Sequence, residues 1–412
     1  YSLWTYVGFN EIQSTAVVLG VVVGLVSTGG FVQVIGRQAS FYWNYEDYLM
    51  TNKTINYLLK KGILSIFFVL TSIFLINLFF HIYPYEILFV VFAYAFFIGL
   101  LLLVLAPLHT IKQRWVITFS IFIGTAVAIY LKETTSLLIF ATHWIGIGIT
   151  VIIAKLFLVI YFHNLTKNKK SISGNKIKAP VLLYHNYQFF FYGVFIYVFI
   201  FIDRIMAWSS GINGNLPFLV YFEKNYELGM DLAILVFLLL AGVLEYSIAS
   251  FTRFIDIGQK ITDHKTPEVF NNQLRKMYWQ QVLLLFATSA LSFVFIYYII
   301  NAPWGFQGQF KETLVRLSIK VSVIGGIGYV LLAWGMLNSL YLFTLGQTLK
   351  PLKAIIYACI INISLGFVLS RFFAYEYSVV GMLCGAGVFT ILTLRANINY
   401  FKSLDYYYYA AY

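Results

Sequence analysis

Eleven apolar runs, each long enough to cross a bilayer, occupy most of this 412-residue chain, and basic residues crowd every second connection between them. The runs lie at about 12–35, 60–82, 85–107, 115–131, 137–162, 181–207, 228–250, 280–300, 315–345, 353–374 and 378–401. A helix needs ~20 apolar residues to cross the hydrocarbon core. Only helices or closed barrels satisfy the backbone there, and these runs are too long and too uniformly apolar for barrel strands. An all-α polytopic membrane protein is therefore predicted.

The charges give the expected orientation. Charged residues make up 11% of the chain, against ~25% in soluble domains, so the net charge of +12 is not a nucleic-acid footprint and no nucleic-acid partner is expected. The connections after the odd-numbered runs, with the C-terminal tail, hold twenty Lys and Arg; the alternate connections hold only Lys132, Lys224 and Lys311. By the positive-inside rule the rich side, and the C-terminus, are cytoplasmic. The first run then starts outside, so a helix before residue 1 is expected. Twelve transmembrane helices in two six-helix bundles follow, eleven of them in this sequence. The basic, polar stretch TKNKKSISGNKIKAP reads as a cytoplasmic linker at 166–180, dividing an N-terminal bundle (1–165) from a C-terminal one (181–412). In each half, a run ends at an arginine, Arg37 or Arg253, and enters a polar, aromatic and basic stretch. Both stretches read as interfacial helices. Their matching places suggest a parallel internal repeat. Their basic pairs, Lys60/Lys61 and Arg275/Lys276, are the expected docking points for a cytosolic partner.

Enzyme signatures are absent: there is no P-loop, HExxH or GxSxG and no clustered Cys/His set. No catalytic residue, metal or cofactor is expected. The informative residues are charges within or beside the runs, which cost ~2.5–3.5 kcal/mol each at a helix centre unless paired or hydrated. In FIDRIMAW, Asp203 and Arg204 are adjacent and point ~100° apart, so each needs a partner elsewhere. In the next run Glu227, Asp231 and Glu245 share a helical face, with Arg253 near it further on; they form an acidic stripe. Arg316 and Lys320 share a face with Glu312. Arg316 can pair with Glu312, leaving Lys320 to find a partner. Arg371 and Lys155, near run ends, are expected to snorkel to the interface.

The segments YGVFIYVFIFIDRIMAW, YELGMD and AGVLEYS resemble the Pel exopolysaccharide inner-membrane transporter family of the multidrug/oligosaccharidyl-lipid/polysaccharide (MOP) flippase superfamily. The resemblance is specific over about 190–255. It implies two six-helix bundles around a central cavity, residence in the bacterial inner membrane, and movement of an amino-sugar-rich polymer during biofilm matrix synthesis. It also implies partners: a cytosolic Pel glycosyltransferase, a cyclic-di-GMP-sensing membrane scaffold and other Pel membrane subunits, besides polysaccharide and membrane lipid. A cation-coupled flippase of lipid-linked oligosaccharide, or a drug exporter of the same fold, is the alternative. A lipid-linked sugar transferase and a synthase scaffold are further readings that the residues leave open.

Overall fold

The computed structural model describes residues 9–168, 177, 179–210, 216, 218–261, 267–303 and 314–402. Among them are eleven long helices and no strand. In order these are α1 (Glu11–Asn44), α2 (Tyr48–Phe80), α3 (Tyr85–Thr110), α4 (Arg114–Thr134), α5 (Ile139–Asn168), α6 (Ala179–Trp208), α7 (Lys224–Ile261), α8 (Pro267–Asn301), α9 (Arg316–Thr344), α10 (Leu349–Phe372) and α11 (Ser378–Phe401). All eleven are long and apolar enough to span a membrane. Each coincides with one predicted run. Several are longer than their runs, because helix formation continues past the last apolar residue wherever the backbone can still bond to itself.

That continuation overturns one expectation. The stretches after Arg37 and Arg253 are not separate interfacial helices. α1 runs on through Arg37 to Asn44, the chain turns within three residues, and α2 starts at Tyr48 and continues without a break to Phe80. The corner is built by Glu46, held at a left-handed φ of 58°, and by Asp47, whose carboxylate accepts the Met50 amide at 3.0 Å. In the second half α7 likewise continues to Ile261, and α8 begins on a proline at its first position, where the missing N–H costs nothing. At 1.5 Å per residue, the 33 residues of α2 measure about 50 Å. The helix is therefore longer than the ~30 Å hydrocarbon core is thick.

Helix association in lipid rests on close packing and interhelical hydrogen bonds. Glycines provide the closeness on α1: a Cβ on Gly20 would come within 2.6 Å of the Val91 carbonyl, and one on Gly24 within 2.7 Å of the Ala95 carbonyl, both on α3. The chain divides into two compact units, Leu3–Val198 with Pro217–Tyr221, and Phe199–Leu216 with Phe222–Tyr412. The division falls inside α6; the sequence boundary at 166–180 lies largely on residues outside the description. In unit 1, α1 packs on α2 and α3, and α5 on α3 and α4. In unit 2, α7 packs on α8 and α9, and α11 on α9 and α10. The pairing of unit 1 thus recurs in unit 2 six helices later, in the same chain direction, as a parallel repeat requires.

Candidate functional site

The charges of FIDR and YELGMD meet inside unit 2. Asp203 and Arg204 lie one turn before the end of α6, and Glu227 lies in the first turn of α7. Carboxylates are favoured there, since the helix N-terminus carries partial positive charge. Arg204 Nη1 donates to Glu227 Oε1 at 2.7 Å, and Arg204 Nη2 stands 4.0 Å from Asp231 Oδ1. Arg204 is 3% exposed and Glu227 1%, so this ion pair is desolvated and removing either member leaves the other stranded. Asp203, fully buried, turns elsewhere: its Oδ2 accepts the Tyr226 hydroxyl at 2.7 Å, and its backbone carbonyl accepts Ser378 Oγ from α11 at 2.6 Å. Tyr329 of α9 adjoins the same charges.

The cluster sets three carboxylates, Asp203, Glu227 and Asp231, around one guanidinium. Asp203 Oδ1, Glu227 Oε2, Arg204 Nε and the Tyr329 hydroxyl are buried without hydrogen-bond partners among the described residues. Such atoms are costly in a dry interior, and their convergence marks a polar centre within an apolar bundle. No group of three His, Cys, Asp or Glu side chains among the described residues has the arrangement of a metal site.

Arg371 of α10 anchors the end of α6 beside this centre. Its Nη1 donates to the Met206 carbonyl at 3.0 Å and its Nη2 to Ser209 Oγ at 2.8 Å. It acts as a C-terminal cap rather than simply snorkelling, as the sequence suggested. Gly381 of α11 lets that helix approach α10: a Cβ there would meet the Asn362 carbonyl at 2.8 Å.

The remaining candidates stand apart. Glu245 lies fourteen residues beyond Asp231, about 21 Å along α7, half-buried, and Arg253 is exposed still further on. The acidic stripe is therefore continuous on the helical wheel, but its upper half is engaged by Arg204. Arg316, the first residue of α9, is exposed, and Glu312 lies outside the described residues. Lys320 finds an aromatic partner, its ammonium 3.9 Å from the centre of the Tyr377 ring, a cation–π contact. Lys60, Lys61, Arg275 and Lys276 are all exposed, on α2 and α8. Lys155 is half-buried and donates to Asn56 Oδ1 at 2.9 Å.

Sequence reasoning missed the roles of the uncharged members. Tyr226 lay within YELGMD but was not read as a partner of Asp203, and Ser378 and Tyr329 carry no motif. It also missed a second buried network in unit 2. There Tyr278 donates to Asn338 Oδ1 at 2.6 Å, Asn338 Nδ2 to Thr393 Oγ1 at 3.2 Å, and Asn397 Nδ2 to the Asn338 carbonyl at 3.2 Å. Asparagines inside apolar runs were the available signal, because a buried amide demands partners. Asn362, likewise inside an apolar run, donates to the Phe199 carbonyl at 3.2 Å.

With this geometry established, the fold is similar to that of solved MATE and MOP-superfamily transporters. A crystal structure of a MATE protein in the bent conformation matches 98% of this chain and 91% of its own, with a TM-score of 0.62 at 12% identity. The inward-facing form of a multidrug-resistance MATE family transporter of the MOP superfamily matches 95% of this chain and 92% of its own, with a TM-score of 0.60 at 12% identity. A MOP-superfamily transporter from Pyrococcus furiosus, described as having a binding pocket of reversed polarity, matches 95% of this chain and 89% of its own, with a TM-score of 0.59 at 12% identity. At such identity the likeness is one of fold. No family model matches the sequence, and no curated protein matches it significantly.

Proposed function

We propose that this protein is a multi-pass membrane transporter without catalytic chemistry, and that its cargo is a bacterial exopolysaccharide of the Pel type. The observation that carries the reading is positional. Two of the three segments on which the Pel resemblance rests, the one holding FIDR on α6 and YELGMD on α7, contribute Asp203, Arg204, Tyr226, Glu227 and Asp231 to one buried polar centre; the third, AGVLEYS with Glu245, lies further along α7. The solved structures sharing the fold are transporters, which supports movement of cargo as the general task. Asp231 and Glu245 supply negative charge suited to a partly cationic amino-sugar polymer. The cytosolic glycosyltransferase, the cyclic-di-GMP-sensing scaffold, the other Pel subunits and an inner-membrane location with the C-terminus inside belong to the same proposal. The direct test is deletion of this protein in a producing bacterium with its synthase intact. Loss of secreted polymer, rescued by the wild-type chain, supports the reading; unchanged secretion overturns it.

A second reading is favoured by the excess of carboxylate over guanidinium at the centre: a cation-coupled exporter of small amphiphiles, with Asp203 as the coupling group. In proteoliposomes this form would expel a cationic dye when a sodium or proton gradient is imposed. The polymer transporter would not.

A further inference from the structure

Unit 1 carries a concave, basic site that plays no part in the centre described above. A cavity of about 400 Å³ opens beside the first turns of α2, lined by Asn52, Lys53, Asn56, Tyr57, Lys60 and Ile177. Its size falls in the range of small-ligand pockets, ~300–1,000 Å³. Lys53 and Lys60 are two helical turns apart and so share one face. Behind the wall, Lys155 of α5 donates to Asn56 Oδ1 at 2.9 Å, and Asn56 Nδ2 donates in turn to Asn52 Oδ1 at 2.7 Å. Lys61 adds a fourth cation at the rim, its ammonium 5.8 Å from the Tyr57 ring centre.

None of these lysines has a carboxylate within salt-bridge distance among the described residues. An ammonium has three donors, and Asn56 accepts from only one of those on Lys155. Lys155 also lies within a span, where an uncompensated charge is expensive. The surface of the cavity is itself mostly apolar, but the residues that form it carry two ammonium groups, two amides and one phenol ring, at the basic end of the bundle where the polar turns of α2 meet its apolar run. Basic pockets between transmembrane helices at such an end suit phosphate head groups.

We infer that this cavity binds a phosphate-bearing anion, with Lys53 and Lys60 contacting the phosphate oxygens and Lys155 completing the charge through the Asn56–Asn52 wall. The same chemistry is offered by an anionic lipid head group and by a soluble diphosphate. The experiment separates them, using the full chain purified into nanodiscs. In one arm, discs mix phosphatidylglycerol with phosphatidylcholine, and native mass spectrometry reads which lipid stays bound. In the other, phosphatidylcholine discs are titrated with inorganic pyrophosphate and the melting temperature is followed. Retained phosphatidylglycerol identifies a head-group site, and stabilisation by pyrophosphate identifies a soluble one. In either case K53Q/K60Q weakens binding by about thirtyfold, from two basic contacts at an anionic group. K53R/K60R retains binding, and K350Q, which removes a charge from an exposed position in unit 2, leaves it unchanged. The inference is overturned if neither probe binds, or if K53Q/K60Q loses no more than K350Q.

Discussion

Arg204 is the residue on which the central cluster depends. Its guanidinium holds Glu227 at 2.7 Å and stands near Asp231, so truncating it strands buried carboxylates. Breaking a buried pair from one side costs about 3–5 kcal/mol, whereas replacing both members with apolar side chains of similar volume is often neutral. R204M alone is therefore expected to lower the amount of folded protein. R204M/E227M is expected to recover folded protein while polymer export stays lost, as measured by size-exclusion yield and secreted polysaccharide. Recovery of export with the double substitution would make the pair purely structural. Asp231 is partly exposed, with 13% of its side chain accessible, so D231N tolerates the loss of charge. It is expected to leave protein abundance normal and to reduce export; normal export at normal abundance would remove Asp231 from the cargo path.

Elements are held by specific local devices. The corner between α1 and α2 turns on Glu46 at positive φ and on the Asp47 cap. D47A should lower stability by about 1 kcal/mol, the usual worth of an N-cap, whereas E46G should be neutral or stabilising because glycine adopts that φ without strain. Thermal unfolding in detergent reads both. In unit 2, Asn338 ties α8, α9 and α11 together through Tyr278, Thr393 and Asn397. Interhelical hydrogen bonds in membranes average ~0.6 kcal/mol each, so N338L should cost about 2 kcal/mol in the same measurement. A fall no larger than that of a lipid-facing control, such as I360A on exposed Ile360, would show the network to be dispensable.

At the scale of the whole molecule, the expected orientation follows from the twenty-to-three distribution of basic residues between connections and the positive-inside rule. In a cysteine-free background, a single cysteine at Ser136, between α4 and α5, should react with an impermeant reagent added from outside. One at Lys112, between α3 and α4, should react only after permeabilisation. The reverse pattern would invert the topology and place the α2 lysine cavity outside. The repeated helix pairing of the two units also implies that each folds around an equivalent set of contacts. G24L on α1 and G229L on α7 block close approaches within the corresponding helix pairs, α1 on α3 and α7 on α9, and both should sharply reduce folded yield.

The number and order of the long apolar helices were legible in the sequence, although α2 and α8 start well before their apolar runs. Crossing a membrane is a one-dimensional requirement, a length of apolar side chains satisfied locally by each helix's own hydrogen bonds. The repeat was legible for the same reason, because Arg37 and Arg253 hold equivalent places along the chain. The FIDR and YELGMD charges were legible as residues needing partners, since lone charges stand out in apolar runs. Which partners they took was decided only by tertiary structure. Arg204 meets Glu227 because the end of α6 and the start of α7 pack at one depth with those faces turned together, and Lys320 meets the Tyr377 ring for an equivalent reason. Glu245 shares the wheel face of Asp231, but a helical wheel discards the axial distance that separates them. The expected interfacial helices likewise became extensions of the spans, because a polar composition does not say whether a helix bends along the membrane surface or continues straight beyond it.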